Sequence, residues 1–99
     1  MVLKKLKQES EIALRHIIVL QEVQKNQPIG IFKLSELLNM PKHRIRYSLR
    51  VLEQSGIIEA TQYGAVIKEG AEKEFEKLKK EIDTIIKNIE ELKRRVGEI

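Results

Sequence analysis

Ninety-nine residues make room for one hydrophobic core, and a chain this short hides so little of its surface that it gains by oligomerising. It has no cysteine and only two histidines, His16 and His43, far apart in sequence; this excludes disulfides, thiolate catalysis and iron–sulfur clusters and leaves no metal-ligand spacing. The net charge of +4 is uneven, since residues 1–55 carry ten Lys and Arg against five Glu while residues 56–99 carry nine against ten acids, and the basic half points to an anionic partner.

Aromatics make up only 4 % of the chain, so its core is aliphatic, and the basic cluster lacks the exposed rings that anchor proteins on lipid; nucleic acid is the expected partner rather than membrane. The longest apolar run is Ile17–Leu20, far below the roughly 18 residues of a membrane span, and "MVLKKLK" leads into no signal-peptide core, which implies a soluble cytoplasmic protein.

In chain order, Ser10 reads as the cap of a first helix, with Glu9 and Glu11 favouring its N-terminus and Ala13, Ile17, Leu20 and Val23 as its inward stripe. Leu3 and Leu6 continue the stripe backwards, so the helix can reach residue 3, and Pro28 ends it. "KLSELLN" signals a short second helix with Leu34, Leu37 and Leu38 on its apolar side and Asn39, tolerant of the left-handed conformation, just beyond. Pro41 suits the first turn of a third helix, residues 41–55, which turns Ile45, Leu49 and Leu52 inward and stops at Gly56. Two β-branched stretches, 57–61 and 65–68, flank "QYG" and read as a hairpin.

From Ala71 the apolar residues Phe75, Leu78, Ile82, Ile85, Ile89, Leu92, Val96 and Ile99 follow at alternating steps of four and three, a heptad seam four repeats long. Phe75, Ile82, Ile89 and Val96 take the a positions, and Ala71, Leu78, Ile85, Leu92 and Ile99 take d. Fewer than 70 residues of remaining domain offer too little surface to cover such a helix, so a second copy is its expected partner, parallel or antiparallel. Ile86, at an e position, falls outside the seam; Leu3 or Leu6 of the first helix is its expected neighbour.

The order of elements, carried by "LSELLNMPKHRIRYSLRVLEQSGII" and closed by the hairpin, resembles the winged helix-turn-helix family of DNA-binding domains over residues 10–68. With the added C-terminal helix, the chain is most similar to small dimeric winged-helix proteins of archaea, transcriptional regulators or chromatin-associated proteins. The resemblance implies a mainly α fold with a small β-hairpin, divided into a winged helix-turn-helix domain at 1–70 and a dimerisation helix at 71–99, antiparallel pairing being favoured by the archaeal likeness. It also implies a homodimer that places helix 41–55 in the major groove of double-stranded DNA.

A groove about 12 Å wide admits one helix, which needs an apolar face for anchorage and a second face for phosphates and base edges. Lys42, His43, Arg46, Tyr47 and Arg50 fall on or beside that second face, with Arg46 and Arg50 one turn apart and Arg44 on the flank toward the backbone. Lys42 and His43 stand at the helix N-terminus, where amides also favour a phosphate. Gln62 and Tyr63 form a hairpin tip without Lys or Arg, a weak grip compared with the family's charged wings. The expected dimerisation residues are Phe75, Leu78, Ile82, Ile85, Ile89, Leu92 and Val96. His16 reads as a half-buried helix residue. Ser10, Ser35, Ser48 and Ser55 lack a paired base and there is no glycine-rich phosphate loop, so no enzyme, cofactor or metal is expected. A transcriptional regulator is the leading expectation; a non-specific architectural DNA protein and a winged-helix protein-interaction module are the alternatives.

Overall fold

From Val2 to Gln27 the chain contains neither glycine nor proline. In the computed structural model, which describes residues 2–99, this stretch forms one unbroken helix, α1, Val2–Asn26. Ser10 is therefore no cap: it lies inside the helix, and its hydroxyl donates to the Lys7 carbonyl at 2.7 Å. The Leu, Lys and Glu around it favour helix strongly enough to run through without a side-chain start signal. The inward face is also shifted. Val19, Leu20 and Val23 are buried, Ile17 is half-buried, and Ala13 is exposed, because the rest of the domain packs only on the second half of α1.

Helix α2, Ile31–Leu38, buries Leu34 completely, while Leu37 stays 45 % exposed rather than joining the apolar side. Asn39 ends the helix in the left-handed conformation (φ 51°), and the turn is locked by the Ser35 hydroxyl donating to the Met40 carbonyl. Helix α3, Lys42–Gln54, starts directly after Pro41 and reverses at Gly56, whose φ of 76° suits glycine. Ile45, Ser48 and Leu52 are its buried residues, and Leu49 is half-buried. They complete the aliphatic core with Val19, Val23, Ile29, Leu34, Ile57 and Ile58.

Strands β1, Ile58–Thr61, and β2, Gly64–Ile67, pair antiparallel with Ile58 opposite Ile67 and Ala60 opposite Ala65, joined at Gln62 and Tyr63. The hairpin is tied to the helical body from behind. Ile29 exchanges two backbone hydrogen bonds with Ala65, at 3.1 and 2.7 Å, and the Gln27 side-chain oxygen accepts the Ile67 amide at 2.8 Å. A residue of the connection between α1 and α2 thus makes an isolated antiparallel bridge to β2.

Helix α4, Glu72–Gly97, is anchored only at its beginning: Ala71 is 2 % exposed, and Phe75 and Leu78 pack on the core of their own domain. The seam that reads as wholly available to a partner is therefore partly used within the chain. From Ile82 onward the apolar residues stand free, at 41–58 % exposure for Ile82, Ile85, Ile86, Ile89, Leu92 and Val96. Ile86 does not find cover on α1; Leu3 and Leu6 are themselves 47 % and 37 % exposed. Along α4 the charged residues pair on the helix itself, as Lys79 with Glu76 at 3.2 Å and Arg95 with Glu91 at 2.6 Å. Such exposed pairs contribute only about 0.3–0.5 kcal/mol each.

Gly64 is where the hairpin approaches Ile29 too closely for a side chain: a Cβ there would lie 2.6 Å from the Ile29 carbonyl carbon, and φ is +125°. Gly64→Ala is expected to lower unfolding stability by about 2 kcal/mol or more, since both the backbone conformation and the Ile29–Ala65 rung are strained together. Urea denaturation measures this, and the harmless control is Gly30→Ala, where a Cβ meets nothing within 4 Å.

Candidate nucleic-acid interface

Once Ile45, Ser48 and Leu52 are buried, the helical rotation of about 100° per residue fixes where every other side chain of α3 goes. His43 and Arg50 point most directly away from the core. Arg46 lies on the flank toward the hairpin, where Arg46, Leu49, Arg50 and Glu53 border a groove against Ile58, Ala60 and Thr61. Arg44 and Tyr47 lie on the flank toward α1, and the Tyr47 ring meets the His16 ring at 5.4 Å between centroids, tilted by 54°.

Lys42, His43, Arg44, Arg46 and Arg50 are all exposed, and none of them takes part in an ion pair among the described residues. On α4, by contrast, Lys77, Lys79, Arg94 and Arg95 pair with neighbouring carboxylates. Lys42 is the one cation of the cluster with a specific neighbour: its ammonium sits 4.2 Å from the centroid of the Phe32 ring on α2. At an exposed site that contact is worth about 0.5–1 kcal/mol and orients the start of α3 against α2. Phe32, 73 % exposed, escapes any periodicity argument.

At the hairpin tip Tyr63 is 75 % exposed and Gln62 is exposed. The turn beneath them is held by the Thr61 hydroxyl, which donates to the Gly64 carbonyl at 2.7 Å and accepts the Tyr63 amide at 3.1 Å. Tyr63 is therefore presented on a defined turn, uncharged, and Tyr47 is partly occupied by packing on α1. The five basic residues of α3 carry the positive potential of this face.

The expectation that Ser48 has no paired base is overturned: it is a fully buried polar residue and its hydroxyl meets the imidazole of His16. Its spacing is the available signal, three residues after Ile45 and four before Leu52, on the same stripe. Its hydroxyl lies 2.7 Å from His16 Nδ1 of α1, so the buried polar residue in the interface between α1 and α3 is satisfied by the imidazole. Burial, and secondarily the Arg15 charge, hold the His16 imidazole below its ordinary value of 6.5.

The described residues contain no group of three His, Cys, Asp or Glu able to hold a metal ion. None of the described helices is long and apolar enough to cross a membrane. No protein-family model matches the chain, and a comparison with curated proteins finds no match.

A lowered imidazole value means that folded protein binds the His16 proton less well than unfolded protein. The stability linked to His16 is thus fully present above its unfolded value and is lost as pH falls through the folded one. Unfolding stability is expected to decline between about pH 7 and pH 5. His16→Gln, which cannot titrate, should flatten that part of the decline in denaturant titrations at each pH.

Proposed function

We propose that this chain is a DNA-binding transcriptional regulator of the winged helix-turn-helix type, cytoplasmic, acting as a homodimer through α4. The observation that carries the reading is the division of α3 into two faces. One is locked by Ile45, Ser48 and Leu52, and the other holds five exposed basic side chains without carboxylate partners. A helix so fixed and so charged satisfies what major-groove entry requires: a rigid platform, cations for phosphates, and two arginines one turn apart for base edges. The hairpin beside it takes the place of a wing, although its uncharged tip makes it the lesser contributor. Non-specific architectural binding uses the same cations, and the uncharged tip favours it to the extent that a wing adds no sequence reading. Competition with random duplex separates the two, since a regulator prefers its operator by about a thousandfold or more.

Neutralising about four phosphates per domain gives a duplex affinity that falls steeply with salt, the logarithmic slope approaching −0.9 for each phosphate contacted. Arg46→Ala and Arg50→Ala should each weaken binding and make that slope shallower by about one unit. If either reads a guanine, the base preference at one position drops by about 1–3 kcal/mol. Wild-type affinity in both variants at all salt concentrations would remove α3 from the interface.

The proposed dimer rests on the row Ile82, Ile85, Ile86, Ile89, Leu92 and Val96, aliphatic residues that are all exposed on α4; contiguous exposed apolar faces mark interaction sites. Replacing Ile82 and Ile89 together by Glu puts unpaired charge in the seam and is expected to yield a monomer in sedimentation equilibrium. A two-half-site duplex should then lose far more affinity than a single half-site. A double variant that still sediments as a dimer would move the interface away from α4.

A further inference from the structure

The hairpin faces α3 across a groove of about 380 Å³ that the basic helix alone does not account for. Small residues create it: Gly30, Ala60, Gly64 and Ala65 line the walls where larger side chains would otherwise fill the space. Gly64 cannot grow, because the Ile29 backbone is already in the way. Ala60 and Ala65 face one another across the two strands, with Ile58 on the same face one step further along. Beneath them Ile29, Ile31, Leu49 and Ile58 give an aliphatic floor.

The polar part of this lining is asymmetric. Arg46 and Arg50 stand on one side with a single acid, Glu53, so two guanidinium groups against one carboxylate leave one net positive charge. Neither arginine is engaged in an ion pair among the described residues. Planar guanidinium groups match a carboxylate in a two-pronged geometry, and an aliphatic floor matches a hydrocarbon body. The volume lies at the lower end of the roughly 300–1,000 Å³ typical of small-molecule sites, which sets the ligand size.

We propose that this groove binds a small amphipathic monocarboxylate, its apolar body on Ile29, Leu49 and Ile58 and its carboxylate on Arg46 and Arg50. The ligand uses the same two cations that the proposed function gives to DNA, so the two exclude one another and the ligand releases DNA. The binding site itself stands on the groove; only its effect on DNA rests on the regulator reading.

The test uses the full chain with labelled Ile and Leu methyl groups, octanoate as probe, and two controls: octanol, which lacks the charge, and acetate, which lacks the body. Octanoate should cause saturable shifts of the Ile29, Leu49 and Ile58 methyls. Octanol, and octanoate with the Arg46→Gln, Arg50→Gln double variant, should bind at least about tenfold more weakly, the worth of a charge-assisted hydrogen bond pair. Ala60→Phe, at an exposed position, fills the groove and leaves both arginines in place; it should abolish the shifts and make duplex binding insensitive to octanoate. Shifts that never saturate, equal affinity for octanol, or shifts confined to Ile82, Ile85, Ile89 and Leu92 on α4 would overturn the site. Octanoate binding without any duplex binding keeps the site and removes the regulator reading, whereas duplex binding without octanoate shifts does the reverse.

Discussion

The rest of the molecule depends on the burial of one side of α3. Ile45 and Leu52 lie at 0 % and 3 % exposure among Val19, Val23 and Leu34 of the two other helices of the domain. Truncating a residue so placed, such as Ile45 or Leu34, costs about 2–5 kcal/mol, a large share of the 5–15 kcal/mol by which a small domain is stable at all. That energy fixes the rotation of α3 about its own axis. Because the rotation is fixed, Lys42, Arg44, Arg46 and Arg50, none of them in an ion pair among the described residues, can be held together on the solvent side without the helix rolling to hide or disperse them. Ser48 sharpens the constraint. A buried hydroxyl is tolerated only in the one rotation and height that bring it to His16 Nδ1, so the polar pair selects among the sliding positions that an all-aliphatic interface would allow.

The hairpin inherits its position from the same core. Ile58 is buried beside Leu52, and the sheet is held from behind by the Ile29 rung and the Gln27 side chain. These attachments come from the segment between α1 and α2, so the loop that separates the first two helices also sets the distance between the hairpin and α3. That distance leaves the groove open. A two-stranded hairpin is marginal on its own; here its backbone is bonded on the inner edge and its tip is braced by Thr61.

Most of this was legible in the sequence where a residue type has one structural use. Pro28, Asn39, Gly56 and the Leu34, Ile45, Leu52 spacing placed three helices and their ends to within a residue or two. The readings that failed were those in which tertiary contact decides. Ser10 has the chemistry of a cap, yet strong helix formers on both sides carried α1 through it. Ala13 sits on the apolar stripe of α1, yet nothing packs there. Ser48 sits on the apolar stripe of α3 and is buried because His16, 32 residues away, satisfies it. Ile29, to which the sequence pattern assigns no role, bridges to Ala65 of β2. The basic face of α3 was readable because charge spacing on a helix survives folding unchanged. The groove was not, since it arises from small residues brought together from three separate segments.

Helix α4 carries a constraint on its own pairing. Its first turns are covered by its own domain, so only the stretch from Ile82 onward is free, and in the proposed dimer two such stretches must meet. In a parallel pair the e position of Ile86 faces the g position of Glu81 in the partner, apolar against charged, and both domains crowd at one end. In an antiparallel pair e faces e and g faces g. A register that sets Ile82 opposite Leu92 and Ile85 opposite Ile89 then places Ile86 against its own symmetry mate on one flank and Asn88 against its own on the other. Glu81 meets Arg95 in this arrangement, a favourable pair made twice by symmetry. Its one cost, Lys79 facing Lys93, falls at the solvent edge, where Lys79 is already balanced by Glu76. Ile86, the apolar residue with no place in the heptad, thus has a partner only when the helices run in opposite directions, and the free seam then lies midway between two domains held at opposite ends.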